Sequence, residues 1–333
     1  MTLNIDPEEN AIREGNIGLV RRFLTLVMEQ GLVEFCDELL HPDAAFVDPS
    51  LPPGLPNGPA GVAQLVQMIH KQFSSYTMRL DDIFAVGTDR VVNRFAANAI
   101  HEGGFFGSNL AGKSVSWTGN TVYRFKDGLI HRIWLYWDLL SILVQLGVVT
   151  RPTSTTPPPW VVAPIPGTPF RAAERRNAPL IVRPGPQSVP ENIANVQFMF
   201  DGITSVPIEE LVEQCIAPEY VRQDNCAMPG TASSVDGFVE YVRAARENFE
   251  GYRMQVEEIF GEGDKVVARV RATGLHRGGF MGVSQGGQPV SFLLSGIYRM
   301  AQGRIAQSWV TWDSYGALAQ LGAVTNHLPP IDG

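Results

Sequence analysis

Pro42-Asp43-Ala44-Ala45-Phe46-Val47-Asp48 returns later in the chain as Pro218-Glu219-Tyr220-Val221-Arg222-Gln223-Asp224, an offset of 176 residues (218 − 42). In the same way His101-Glu102-Gly103-Gly104-Phe105-Phe106-Gly107 is answered by His276-Arg277-Gly278-Gly279-Phe280-Met281-Gly282, now at 175 (276 − 101). Trp137-Asp138 and Gln145-Leu146-Gly147 return as Trp312-Asp313 and Gln320-Leu321-Gly322. One single-residue slip, between Gly87 and Asp89, separates the two offsets. Register held over so long a stretch marks a tandem duplication, with copies at residues 10–149 and 192–324. The period is too long for a solenoid, so each copy is expected to be a domain with its own core.

Length agrees, since 333 residues predict about two domains at roughly 150 residues each. A hydrophobic content of 44% and a charged content of 18% describe an ordinary soluble globular chain. The net charge of −8 divides as −5 over residues 1–150, +4 over 151–190 and −7 over 191–333. Neither copy carries a basic surplus, which argues against nucleic acid as a partner. Cys36, Cys215 and Cys226 have no metal-ligand spacing and leave an odd thiol, which favours a reducing compartment. The acidic start, Met1 to Glu9, lacks the apolar region of a signal peptide. No apolar run approaches the ~20 residues of a membrane span. A cytoplasmic protein without a membrane partner is therefore expected.

The expected organisation is a first domain over 1–150, a linker over 151–190 and a second domain over 191–333. The linker holds 11 of the 24 prolines, five arginines and one acid. Its composition predicts an extended, partly polyproline II course. Trp160, Val161, Val162, Ile165 and Phe170 are costly to leave in water, so the stretch reads as a strap across one or both acidic domains. A disordered linker is the competing reading.

Within a copy the periodicity changes once. Asn16 to Gln30 places Leu19, Phe23, Leu26 and Val27 on one helical face, and Gly31 stops it. A short helix over Val33 to Leu40 precedes His41-Pro42, and a short strand follows around Phe46-Val47-Asp48. A third helix runs from about Ala60 to Phe73, matched in copy two by Phe238, Val242, Ala245 and Phe249. From there the period is two, with strands expected at 78–86, 90–102, 113–125 and 130–138. Turns fall at Gly87-Thr88-Asp89 and Lys126-Asp127-Gly128. Helices followed by antiparallel strands give an α+β class, a curved sheet closing a cone around a pocket.

The order of His41-Pro42-Asp43, His-x-Gly-Gly-Phe-x-Gly, Tyr-Arg-Phe-x-Asp-Gly, Trp-Asp and Gln-Leu-Gly resembles the SnoaL-like polyketide cyclase family, of the nuclear transport factor 2-like superfamily. Both copies carry the pattern over nearly their whole length. The resemblance implies two cone domains and, because such cones pair sheet to sheet, an internal pseudo-dimer; a further homo-oligomer stays open. Its implication for reaction is weaker, because the superfamily includes cyclases, isomerases, epoxide hydrolases and silent binders. The family's final-strand carboxylate falls at Leu135 and Val310, and its pocket histidine at Thr121 and Gly296. The prototype aldol acid/base pair is thus absent from both copies.

The remaining candidates are few. Asp48 and Asp224 stand where the family sends a polar residue into the pocket from the short strand. A carboxylate half-buried among Trp117, Ile133, Leu135 and Trp137 would have a raised pKa suited to general acid or base work. Asp48 reads equally as a turn former before Pro49. His70, on the rim of the third helix where copy two has Arg246, and His276, paired with His101, are the further acid/base candidates; hydrogen bonding to backbone is the alternative for both histidines of the pair. Asp138 and Asp313 read as helix caps. Substrate contacts are expected from Trp117, Thr121, Leu135 and Trp137 in copy one. In copy two they are expected from Tyr241, Phe292, Ser308 and Trp312, with Tyr241 as an oxyanion donor.

Both pocket faces read as apolar with few polar groups, which suits a large polycyclic or polyene molecule. No metal, phosphate-loop or flavin signature appears, so chemistry without a cofactor is expected. The leading expectation is a cyclase or isomerase of natural-product biosynthesis acting on a polyketide- or terpenoid-like intermediate. Epoxide opening of the polyether kind, and non-catalytic binding of an apolar ligand, are the alternatives.

Overall fold

The computed structural model describes residues 6–48, 50, 55–149, 188–224 and 233–324. These fall into two compact units, one per copy. Nearly all of the expected strap (151–187), together with Cys226 and the side chain of Asp224, lies outside the described residues.

In the first unit, α1 (Pro7–Arg22) starts earlier than the apolar periodicity predicts. Asp6 caps it by accepting from the Glu8 backbone N–H at 2.9 Å, with Pro7 at the first helical position. The helix continues as a wider π turn, Phe23–Glu29, which buries Phe23, Leu24, Val27 and Met28. After α2 (Cys36–Leu39) the chain enters β1 (Leu40–Val47), longer than the expected short strand. Helix α3 (Pro59–Gln72) buries Gly61, Val62, Leu65 and Val66 against the sheet and runs directly into β2 (Phe73–Val86). Strands β3 (Arg90–His101), β4 (Lys113–Lys126) and β5 (Leu129–Trp137) complete the sheet, and α4 (Leu139–Gln145) closes the unit.

The sheet order is β1-β5-β4-β3-β2. Only β1 runs parallel to its neighbour, with Phe46 beside Ile133 and Val47 beside Trp134. Between β3 and β4 the register is unbroken from Arg90↔Arg124 to His101↔Lys113. Alternation therefore turns Val91, Phe95, Ala97 and Ala99 to the helices together with Val115, Trp117 and Tyr123. The edge strand β2 is irregular: the pairing slips between Ser74 and Thr77, where Ser75 takes φ 50°. Such a bulge re-aims the next side chain, Tyr76, toward the interior.

The second unit repeats this plan. Its elements are α5 (Val189–Gly202), α6 (Ile208–Cys215), β6 (Ile216–Asp224), α7 (Val235–Asn248), β7 (Phe249–Glu262), β8 (Lys265–His276), β9 (Pro289–Ala301), β10 (Arg304–Trp312) and α8 (Ser314–Gln320). The sheet order is β6-β10-β9-β8-β7. A capping box of Ser188 and Glu191 starts α5, so the folded unit begins before residue 191. The slip in the duplication lies in the β2–β3 turn, residues 87–89, against 263–264 in the repeat. At the bulge the repeat uses Gly251 (φ 61°), which tolerates that conformation better than Ser75.

Asp138 and Asp313 cap α4 and α8, accepting from the backbone N–H of Ser141 at 3.0 Å and of Gly316 at 2.8 Å. Burial pushes the Asp313 carboxyl up, opposed by the Gly316 hydrogen bond. A carboxyl with a raised folded pKa stabilises the fold fully below its unfolded value, and that contribution is lost as pH rises through the folded value. Asp313→Asn removes the titration. Its melting temperature relative to the native chain should therefore climb between about pH 3 and about pH 7; a pH-independent difference would refute the assignment.

Candidate active site

Between α3 and the inner faces of β3, β4 and β5 the first unit encloses a cavity of about 320 Å³. Its wall is mainly apolar. Trp117 stands 6.1 Å from Trp137, 5.6 Å from Tyr76 and 6.0 Å from Phe73, ring centre to ring centre. Leu135 and Ile133 from β5, Phe95 from β3, and Leu65 and Ile69 from α3 fill the spaces between the rings. Trp117, Thr121, Leu135 and Trp137 all face this cavity, as the strand alternation predicts.

Asp48, just beyond β1, is the carboxylate of the described wall. Its Oδ2 accepts from the Trp137 indole N–H at 2.8 Å. Its Oδ1 accepts from the Ser50 backbone N–H at 2.8 Å and the Ser50 hydroxyl at 2.7 Å. All three partners donate, the set that an ionised carboxylate takes. The Asx turn with Ser50 and the pocket contact coexist, so the two sequence readings of Asp48 are not exclusive.

Beside Ser50, Gln72 and Thr121, two buried phenols line the cavity. Burial pushes both Tyr76 and Tyr123 far above their ordinary value, so each is a neutral donor. Tyr123 is hydrogen-bonded to the Thr121 side chain. Among the described residues none hydrogen-bonds the Tyr76 hydroxyl. Sequence reasoning missed Tyr76. The signal was available, because Tyr76 is answered by Tyr252 and each follows its copy's bulge.

Three candidates lie elsewhere. His70 turns away from the cavity: its Nε2 is 2.9 Å from the Met28 carbonyl and its ring packs on Gly31. This ties α3 to the end of the π turn, a structural task. His276 is 1% exposed, with Nδ1 3.0 Å from the Gln285 carbonyl and Nε2 accepting from the Phe280 backbone N–H at 3.3 Å. His101 repeats both contacts with Leu110 and Phe105 at 3.1 and 3.2 Å. Each ring spans the Gly-Gly loop, in which Phe106 and Met281 take left-handed φ of 48° and 49°. Ser308 hydrogen-bonds Tyr220 at 2.6 Å inside the core and does not reach the second pocket.

The expected second hollow is almost filled, with a volume of about 30 Å³, about that of one water molecule. The reason lies in paired positions on the first strand and the third helix of each copy. Where copy one has Phe46 and Leu65, copy two has Arg222 and Tyr241, with the guanidinium carbon 4.6 Å from the ring centre. Tyr241 also reaches the Tyr252 hydroxyl at 3.2 Å. Gly119, covered by the Phe95 ring, is replaced by Leu294 beside Val270, an exchange of bulk between strands. Thr121 is replaced by Gly296, over which the Tyr298 ring folds. Tyr241, Phe292 and Trp312 line what remains.

A family model described as SnoaL-like polyketide cyclase matches residues 18–146 and 196–321, one segment in each copy. The chain belongs to the SnoaL-like polyketide cyclase family. Its two units are nuclear transport factor 2-like α+β cones. Among solved structures, TsrD from Streptomyces laurentii is 23% identical over 44% of this chain and 100% of its own, with a TM-score of 0.37. IdmH from Streptomyces antibioticus is 27% identical over 39% of this chain and 98% of its own, with a TM-score of 0.35. No curated protein matches the chain in sequence.

This SnoaL-like chain departs from the family pattern at Leu135, yet the pairing of Val47 with Trp134 brings Asp48 beside that position. Among the described residues no three His, Cys, Asp or Glu side chains converge as metal ligands. His276→Ala orphans the buried Phe280 N–H and removes the tie to the Gln285 carbonyl, and should cost about 1–3 kcal/mol of stability, read as a lower denaturant midpoint. Unchanged stability would show that the ring does not hold the loop.

Proposed function

We propose that the first cone is the reaction chamber of a cofactor-independent cyclase or isomerase acting on an apolar polyketide- or terpenoid-like intermediate. The observation that carries this reading is Asp48 held by Trp137 and Ser50 at the wall of a largely apolar cavity. Asp48 is the general base that removes a proton from the carbon next to a substrate carbonyl. The neutral Tyr76 phenol donates a hydrogen bond to the oxyanion that develops there. The resulting enolate carbon attacks a second carbonyl of the folded chain, or takes the proton back at another position. Trp117 and Trp137 hold the substrate flat, which supplies orientation. The second cone, closed by Arg222 and Tyr241, serves the fold. Odd thiol usage supports a reducing, cytoplasmic setting.

A second reading is ligand binding without turnover. It is favoured by the carboxylate already accepting three hydrogen bonds. Epoxide opening by paired carboxylic acids draws no support from the described wall, whose residues include no second Asp or Glu.

Exchange of the α-protons of 2-tetralone in deuterated water, followed by NMR, separates these readings. The native chain should accelerate exchange, Asp48→Asn should lower the rate by about 10²–10⁴-fold and Tyr76→Phe by about 10²-fold. Binding of 2-tetralone without exchange would establish the second reading; equal rates for the native chain and Asp48→Asn would remove Asp48 from the chemistry.

A further inference from the structure

Among the described residues the wider π turn, Phe23–Glu29, occurs in the first cone alone. In the repeat the matching helix, α5, is regular to Gly202. Such turns are rare and shift the phase of the side chains they carry, so they gather where a particular residue must be aimed. This one lays Phe23, Leu24 and Met28 along the cavity wall and brings Glu29, its last residue, to the sheet edge. Glu29 Oε1 accepts from the backbone N–H of Met78 at 3.2 Å, across 49 positions of chain. The same end of the turn is tied by His70, bonded to the Met28 carbonyl, with its ring centre 6.1 Å from that of Tyr76.

Met78 lies two residues past Tyr76 on β2, an edge strand. The outward N–H groups of an edge strand have no partner strand. Just before Met78 the pairing has slipped between Ser74 and Thr77, with Ser75 at φ 50°. A serine at that angle is strained, so the bulge needs support from outside the sheet. It is also the bulge that aims Tyr76, and Glu29 is fastened to the strand directly beyond it. Burial does most to raise the Tyr76 phenol, and the charges of Tyr123 and of nearby Glu29 add to it.

Copy two lacks both the need and the device. Its bulge carries Gly251, which takes the same angle freely. The position of Glu29 is held by Ser205, in the turn after α5. Tyr252 is already bonded to the Tyr241 hydroxyl at 3.2 Å. The clamp is present in the cone whose phenol is unspent and absent from the cone whose phenol is engaged.

We infer that Glu29 is a positioning residue for Tyr76: by clamping β2 at Met78 it holds the bulge in place and keeps the phenol aimed into the cavity with its donor free. Glu29 does not line the cavity, so it acts through Tyr76 and not on the substrate. This inference rests on Tyr76 being the oxyanion donor proposed above.

Exchange of the α-protons of 2-tetralone, with its Kd from equilibrium dialysis, tests the inference in Glu29→Ala, Glu29→Gln and Tyr76→Phe. Glu29→Ala should lower exchange at saturating ketone about tenfold, as expected for a displaced catalytic group, while Kd stays within about twofold. Glu29→Gln keeps an oxygen for the Met78 N–H and should retain the native rate within about threefold. In a Tyr76→Phe background no donor is left to aim, so adding Glu29→Ala should change the rate by less than about twofold. The same loss in both backgrounds would mean a general loosening of the fold and overturn the inference. Unfolding of Glu29→Ala, an equal loss in Glu29→Gln, or weakened binding of 2-tetralone would overturn it likewise. A slow Tyr76→Phe beside an unimpaired Glu29→Ala would sink this inference alone. A native chain that exchanges no protons, or a Tyr76→Phe variant as fast as the native chain, would instead sink the reading of the cavity, and this inference with it.

Discussion

Unbroken register between β3 and β4, and between β8 and β9 in the repeat, is the constraint from which each cone takes its interior. With a side-chain period of two, a one-residue slip would turn Phe95, Ala97 and Trp117 outward and bring Arg94 and Arg124 in. Antiparallel pairing without a bulge from Arg90 to His101 prevents this. Three of the irregularities aim a residue: the bulge before Tyr76, the parallel edge that ends at Asp48, and the Gly-Gly loop spanned by His101. Three groups of the proposed site or its rim are thus placed by departures from a regular sheet, while the walls are placed by its regularity.

Because the same plan occurs twice, the chain contains its own comparison. Backbone order, caps, bulge and histidine-spanned loop are shared, yet one cone keeps about 320 Å³ and the other about 30 Å³. Side-chain volume accounts for the difference. Arg222 stacks on Tyr241 where the first copy has Phe46 and Leu65, whereas the space over Gly119 is already taken by the Phe95 ring, as Leu294 takes it beside Val270 in the repeat. An open hollow forfeits dispersion contacts that a filled one makes. Keeping it open in one copy alone is what duplication followed by division of roles produces.

The chemistry shows a related displacement. Loss of the family carboxylate on the final strand reads, from residues alone, as loss of the acid/base machinery. Parallel pairing of β1 with β5 changes that conclusion, since neighbouring strands bring Asp48 alongside Leu135. Trp137, one alternate residue further along β5, donates to it. In the reading proposed here, a cross-strand neighbour stands in for the in-strand carboxylate.

Duplication, element order, the inner-facing set Trp117, Thr121, Leu135 and Trp137, and the two aspartate caps were legible in the sequence, because each depends on local periodicity or on short-range capping. The helix start at Pro7 was not, since its first turns bury little and carry no apolar stripe. The sequence left the roles of His70 and His276 open for a related reason: a ring nitrogen's partner is a backbone carbonyl or N–H that only the folded chain brings within 3.3 Å. Ser308 was lost to a tyrosine 88 residues away in the chain. The sequence by itself determined that there are two cones and which strand faces look inward. Only tertiary structure decided which cone stays hollow, because that depends on how side chains from different elements share one volume, a sum that no single stretch of sequence contains.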